Sequence, residues 1–333
     1  MATSQIGSVF FALLLVTTTG RAEAVKPQPA SSEPIELSAG SGTVYGTLLL
    51  PKAAGRMPVV LLIAGSGPTD RDGNSKMLPG PNNSLKLLAE GLAENGVASV
   101  RYDKRGIGAS AKAMAAEADI RFDNYVDDAA ALCDRLRKDK RFAGVVIAGH
   151  SEGSLIGMVA AKRCNAAGFV SIAGVGEPAA DVLRTQLKTQ LPPELAAKNE
   201  AVLQALEQGK KPESTPPELE MLYRESVQPY LISWFKYDPA KEIAGLHVPV
   251  LLIQGTTDIQ VTVDDARKLA AAYPKAKLLI VDGMNHVMKV VPADRQAQIA
   301  SYSDPSLMLA PQVVPAIVEL VHMAVKNPAT TTK

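Results

Sequence analysis

Gly149-His150-Ser151-Glu152-Gly153 fits the pattern G-x-S-x-G, and its surroundings suit a serine that attacks acyl carbons. Before it, Ala143-Gly144-Val145-Val146-Ile147-Ala148 is a short apolar, β-branched run of buried-strand type. After it, Ser154-Leu155-Ile156-Gly157-Met158-Val159-Ala160-Ala161 reads as the opening turns of a helix packed on a sheet. A strand that turns sharply into a helix holds its middle residue in a strained, exposed conformation. Ser151 would then present Oγ at the carboxyl edge of a sheet, with a helix N-terminus behind it to favour negative charge. The bland alternative is a Gly-rich turn with an idle serine.

A nucleophilic serine needs a base, and a carboxylate to orient that base. The chain has only four histidines. His150 lies inside the motif, its ring packed beside the turn. His247 precedes the apolar run 248–253 and reads as structural, and His322 falls in the helical pattern of the final segment. His286 remains, in a loop directly after the strand-like Lys277-Leu278-Leu279-Ile280, where an imidazole could overhang the nucleophile. The carboxylate has a similar address. Val250-Leu251-Leu252-Ile253-Gln254-Gly255-Thr256-Thr257-Asp258 is a strand, a glycine turn and then an acid. Asp264 and Asp265 follow Thr262 as first-turn helix residues suited to capping, and Asp282 ends the strand before His286. Asp258 is therefore the expected partner of His286.

An oxyanion needs two backbone N–H donors. Glu152, the residue after the nucleophile, is expected to supply one. Ser66 is expected to supply the other, from the loop Ala64-Gly65-Ser66-Gly67-Pro68 that follows the strand Pro58–Ile63.

Ser151, Asp258 and His286, in that order, resemble the α/β-hydrolase superfamily. So does Arg101-Tyr102-Asp103-Lys104-Arg105-Gly106-Ile107-Gly108-Ala109-Ser110, a D-x-R-G-x-G-x-S loop, in which Asp103 and Arg105 read as braces for neighbouring loops. Within the superfamily the chain is similar to secreted carboxylesterases and serine-aminopeptidase-like hydrolases, and the likeness extends over residues 35–326. It departs at Ala64, where many relatives have His. The resemblance implies an α/β fold: a mostly parallel eight-stranded sheet, helices on both faces and a helical cap after strand 6. It implies a carboxylic ester hydrolase, with a small-molecule ester as substrate and no cofactor or metal. A peptidase with the same triad is the alternative, and Glu218, Glu220 and Glu225 would be candidate anchors for a peptide terminus. A non-catalytic binding module is a third reading, against which the complete triad argues.

The elements needed to position these residues alternate along the chain. An initial hairpin (Ile35–Ser38, Thr43–Leu50) precedes the strand Pro58–Ile63, a helix from Ser84 to Asn95 and the strand Val97–Tyr102. The helix Tyr125–Arg137, the Ser151 strand and helix, and the strand Gly168–Ala173 follow. Residues 177–239 break the alternation with helical stretches (Ala179–Gln190, Glu194–Glu207) and two Pro-Pro pairs. They form the expected cap between core segments 35–176 and 240–326. Leu203, Leu206, Tyr223, Trp234 and Phe235 of this cap are candidate acyl-pocket residues, together with Leu222; the alternative is that they only hold cap to core.

The chain has 333 residues and a net charge of +1, enough length for a large core and no basic field that calls for nucleic acid. No Walker loop, zinc-ligand cluster or dinucleotide fingerprint occurs in it. Residues 9–16 are an apolar run too short to span a bilayer comfortably, and Ala22-Glu23-Ala24 is an A-x-A pattern. Residues 1–24 are therefore expected to be a signal peptide, cut after Ala24, that exports the protein without leaving a membrane span; a retained anchor is the alternative. Residues 25–34 read as a flexible lead-in. Export draws attention to the two cysteines. Cys133 and Cys164 fall near the ends of two helices expected on one face, where a disulfide or two buried thiols would fit. Oligomeric state is left open by the sequence.

Overall fold

The structure is a computed structural model that describes residues 31–52, 55–188 and 190–326. The expected signal peptide lies outside the described residues. Eight strands form one sheet: β1 (Ser31–Ser38), β2 (Thr43–Leu50), β3 (Met57–Ile63), β4 (Ala98–Tyr102), β5 (Phe142–His150), β6 (Gly168–Ile172), β7 (Val250–Gly255) and β8 (Lys277–Val281). Their spatial order is β1-β2-β4-β3-β5-β6-β7-β8. The leading pair runs antiparallel to its neighbours, and β3 to β8 are mutually parallel. Strand β1 begins at Ser31, so the last part of the expected lead-in, up to residue 34, is paired with β2.

Parallel strands covered on both faces must be apolar on both, and β4, β6 and β7 are buried along their whole length. Helices α1 (Ser84–Glu94), α2 (Phe122–Lys138), α3 (Glu152–Arg163), α4 (Ala179–Lys188), α5 (Pro193–Glu207), α6 (Glu220–Tyr223), α7 (Gln228–Trp234), α8 (Pro239–Ala244), α9 (Val263–Ala272), α10 (Arg295–Ser301) and α11 (Val313–Lys326) complete the fold. One apolar layer joins α2, α3, α8 and α9 to the sheet through Leu132, Ile156, Ile243 and Leu269. The other joins α1 and α11 through Leu88, Leu92, Ile317 and Val321. Cys133 and Cys164 form a disulfide between the ends of α2 and α3, with Cα atoms 6.1 Å apart.

The chain between β6 and β7 holds the cap, with its own apolar core contributed by α4 to α7. Trp234 stacks on Phe122 with ring centroids 6.0 Å apart, and the Phe122 N–H donates to Ser233 Oγ at 2.7 Å. Arg224 of the cap pairs with Glu117 of the core. Apolar stacking and charge thus fasten the cap above the carboxyl edge of the sheet.

Candidate active site

Register places the site. Ile63 is level with Gly149, His150 with Ile172, and Ile172 with Ile253. The loops after β3, β5, β7 and β8 therefore leave one edge of the sheet together, bringing Ser66, Ser151, Asp258 and His286 to a common region.

Ser151 has φ 55° and ψ −121°, a conformation that costs a non-glycine residue of the order of 1–3 kcal/mol. The motif glycines make the turn sterically possible. A Cβ at Gly149 would overlap the Gly153 carbonyl, and one at Gly153 would overlap the Ile63 carbonyl. Ser151 begins α3, and the Glu152 N–H is one of the first-turn donors with no intrahelical acceptor.

His286 Nδ1 lies 2.8 Å from Asp258 Oδ2, with the two side chains 6% and 0% exposed. A carboxylate only accepts, so Nδ1 carries a proton, and in the neutral ring Nε2 keeps the lone pair. Burial pushes the Asp258 carboxyl up, but the facing His286 and the N–H groups of Val261 and Gln260 prevail and hold it below its ordinary value. The rival acids are engaged elsewhere. Asp265 forms a capping box with Thr262, Asp264 pairs with Arg267, and Asp282 accepts from Thr256 Oγ1. His322 is exposed on α11, and His247 lines a groove at the amino edge of the sheet.

The link between Ser151 and the His286 loop runs through His150. Its Nε2–H donates to the His286 carbonyl at 2.7 Å, and the two rings lie 4.7 Å apart. Burial foremost, together with neighbouring His286, pushes the His150 imidazole down to about 3. Among the described residues no hydrogen bond joins Ser151 Oγ to His286.

Ser66 borders the same cavity as Ser151, and a Cβ on Gly65 would stand 3.2 Å from Ser151 Cβ. The braces behave as expected. Asp103 accepts from Arg71 and from the Ala109 N–H, and Arg105 makes a bidentate pair with Asp128. Lys104 between them reaches inward to Glu152 and to the Gly65 carbonyl, both at 2.7 Å. Sequence reasoning assigned no part to Lys104 and none to the Glu152 side chain. The available signal was a lone lysine between two scaffold residues at the carboxyl edge.

The cavity next to Ser151 measures about 300 Å³. Its apolar wall includes Leu155, Val182, Leu183, Trp234, Pro239 and Val261. Of the expected pocket residues only Trp234 lines it. Leu203, Leu206 and Tyr223 are fully buried in the cap's own core, Phe235 packs against that core, and Leu222 is exposed. The correction has a simple cause: the cap is large enough to have an interior, and these side chains fill it. The helix that faces Ser151 is α4.

Comparison with known proteins fits this architecture. A family profile described as serine aminopeptidase, S33, matches residues 83–229. Esterase EstD of Thermotoga maritima is 29% identical over 289 residues, covering 85% of this chain and 66% of its own. The chain thus spans 66% of the length of that relative. Est1E from Butyrivibrio proteoclasticus, solved with ferulic acid, superposes with a TM-score of 0.58 at 20% identity, over 86% of this chain and 99% of its own. A thermophilic esterase from Thermogutta terrifontis gives 0.53 at 17% identity, over 88% and 99%. The chain has the α/β-hydrolase fold. Within that fold, Ser151 stands between β5 and α3, Asp258 in the loop after β7 and His286 in the loop after β8.

Proposed function

We propose that this α/β-hydrolase cleaves carboxylic esters with an apolar acyl group through an acyl-enzyme on Ser151. The observation that carries the reading is the buried Asp258–His286 pair beside a strained Ser151 that opens onto an apolar cavity. His286 Nε2 takes the Ser151 hydroxyl proton as Oγ bonds to the ester carbon. The N–H groups of Ser66 and Glu152 hold the oxyanion. The tetrahedral intermediate collapses, the carbon–oxygen bond to the alcohol breaks, and His286 returns the proton to the departing alcohol. Water then gives a proton to His286 and its oxygen to the acyl carbon, and Ser151 regains its proton as the acid leaves.

The esterase relatives and the apolar wall favour esters over peptides. A peptidase would use a charge to hold a peptide terminus, yet Glu218, Glu220 and Glu225 are exposed and do not border the cavity. The two acidic residues that do border it, Glu152 and Glu177, have their carboxylates paired with Lys104 and Lys268. The Cys133–Cys164 disulfide supports export to an oxidising compartment, in keeping with cleavage after Ala24.

Nitrophenyl esters of graded acyl length, assayed beside aminoacyl anilides with wild type and Ser151→Ala, test the reading. Ester turnover abolished by Ser151→Ala is the expected result. Turnover of anilides alone would favour the peptidase, and failure of a fluorophosphonate to label Ser151 would overturn both.

A further inference from the structure

An ion pair lies behind the oxyanion donors, sealed from solvent. Lys104 Nζ is 2.7 Å from Glu152 Oε2, with side chains 2% and 4% exposed. The ammonium also stands 4.9 Å from the centre of the Tyr125 ring. Glu152 accepts a further hydrogen bond from the Tyr230 hydroxyl on cap helix α7. Burying two charges costs several kcal/mol per ion, and apolar residues of similar volume often fill such a place as stably. The pair is therefore weak evidence of a stabilising role, and its placement points to another.

Each end of the pair acts on one oxyanion donor. Lys104 Nζ donates to the Gly65 carbonyl at 2.7 Å. That carbonyl belongs to the same peptide group as the Ser66 N–H. All described peptide bonds are trans, so C=O and N–H of one group point to opposite sides. Fixing the carbonyl on Lys104 fixes the N–H away from it, and among the described residues the Ser66 N–H has no protein acceptor. A cation on the carbonyl also polarises the peptide and strengthens its N–H as a donor. Glu152 supplies the second donor from its own backbone. Its carboxylate, left alone, would repel the developing oxyanion, and Lys104 neutralises it.

We propose that Lys104 and Glu152 are positioning residues that orient and polarise the oxyanion donors of Ser66 and Glu152, with Tyr230 coupling cap docking to that arrangement. The proposal rests on the Ser151 reading. It requires that the pair affect the transition state more than the bound ester.

The test compares Lys104→Met, Glu152→Gln and the double variant Lys104→Met/Glu152→Leu with wild type, each normalised by titration of labelled Ser151. Loss of an oxyanion donor costs about 10²–10³ in turnover, so Lys104→Met should lower kcat roughly 10²-fold with KM little changed. Affinity for an alkyl boronic acid, which forms a tetrahedral adduct, should fall in parallel. Lys104→Met strands a buried carboxylate and risks unfolding. The double variant removes that charge, and it should recover wild-type thermal stability while kcat stays roughly 10²-fold low, because the Gly65 carbonyl still lacks its donor. Wild-type kcat per labelled site in the folded double variant, or a loss confined to KM or to melting temperature, would overturn the proposal while leaving Ser151 as nucleophile. Full ester turnover by Ser151→Ala would overturn both, since no oxyanion would then form beside these donors.

Discussion

His150, the residue before Ser151, donates from Nε2 to the main-chain carbonyl of His286 at 2.7 Å. The strand end that presents Ser151 is thereby tied to the loop that presents the imidazole. The bond requires a proton on Nε2, and burial holds the ring neutral down to about 3.

Acid stability should reveal this histidine. The unfolded ring takes up a proton below its ordinary value near 6.5 and the folded ring does not. Between those limits the unfolded state binds more protons, so stability falls by about 1.4 kcal/mol for each unit of falling pH. Asp258 acts at still lower pH: its depressed folded value contributes stability above the ordinary carboxylate range that disappears as pH falls through the folded value. Urea midpoints at pH 6 and pH 4 for wild type and His150→Gln test the first effect. The variant should lose about 2 kcal/mol less than wild type over that interval. Parallel curves would mean that His150 titrates normally.

Asp258→Asn preserves shape while removing the charge that faces His286. An amide can donate to Nδ1 and so favour the tautomer with its proton on Nε2, where it cannot act as base. Such a change in a serine triad lowers kcat by about 10⁴. Steady-state ester hydrolysis at pH 7 measures it, and a loss under tenfold would show that another carboxylate orients the ring.

What the sequence revealed follows physical lines. Buried parallel strands are apolar on both faces, so Pro58–Ile63 and Val250–Ile253 stand out as runs. The chain order serine, acid, histidine then pointed to the candidate site, because the loops that leave those strands share one edge. The Lys104–Glu152 ion pair escaped notice because it spans 48 positions and leaves no local period. The cap misled for a related reason. The apolar stripe bearing Leu203 and Leu206 reads the same whether it faces a cavity or another cap helix. Only tertiary packing shows that Val182 and Leu183 of α4 face Ser151 instead.

That correction can be tested by acyl-length preference. Val182→Trp places an indole in the cavity of about 300 Å³. A single methylene in an apolar pocket is worth roughly 1–3 kcal/mol of discrimination, so the ratio of kcat/KM for hexanoyl over acetyl esters should fall about 10–100-fold. Leu203→Met, in the cap interior, should alter thermal stability and leave that ratio unchanged. The opposite pattern would restore α5 as the pocket wall.

The Cys133–Cys164 bond closes a loop with a sequence separation of 31 residues. Closing a loop of that length removes enough freedom from the unfolded chain to be worth about 3–4 kcal/mol. The bond lies at the far ends of α2 and α3, whereas Ser151 sits at the near end of α3. Cys133→Ala/Cys164→Ala should therefore reduce unfolding free energy by about 3–4 kcal/mol, with kcat at 25 °C essentially unchanged. Chemical unfolding with and without a reductant provides the matching measurement. Wild type in reductant should move to the midpoint of the double variant, while the variant should not respond. A variant as stable as oxidised wild type would show that packing of the two helices, rather than the cross-link, holds this face of the sheet.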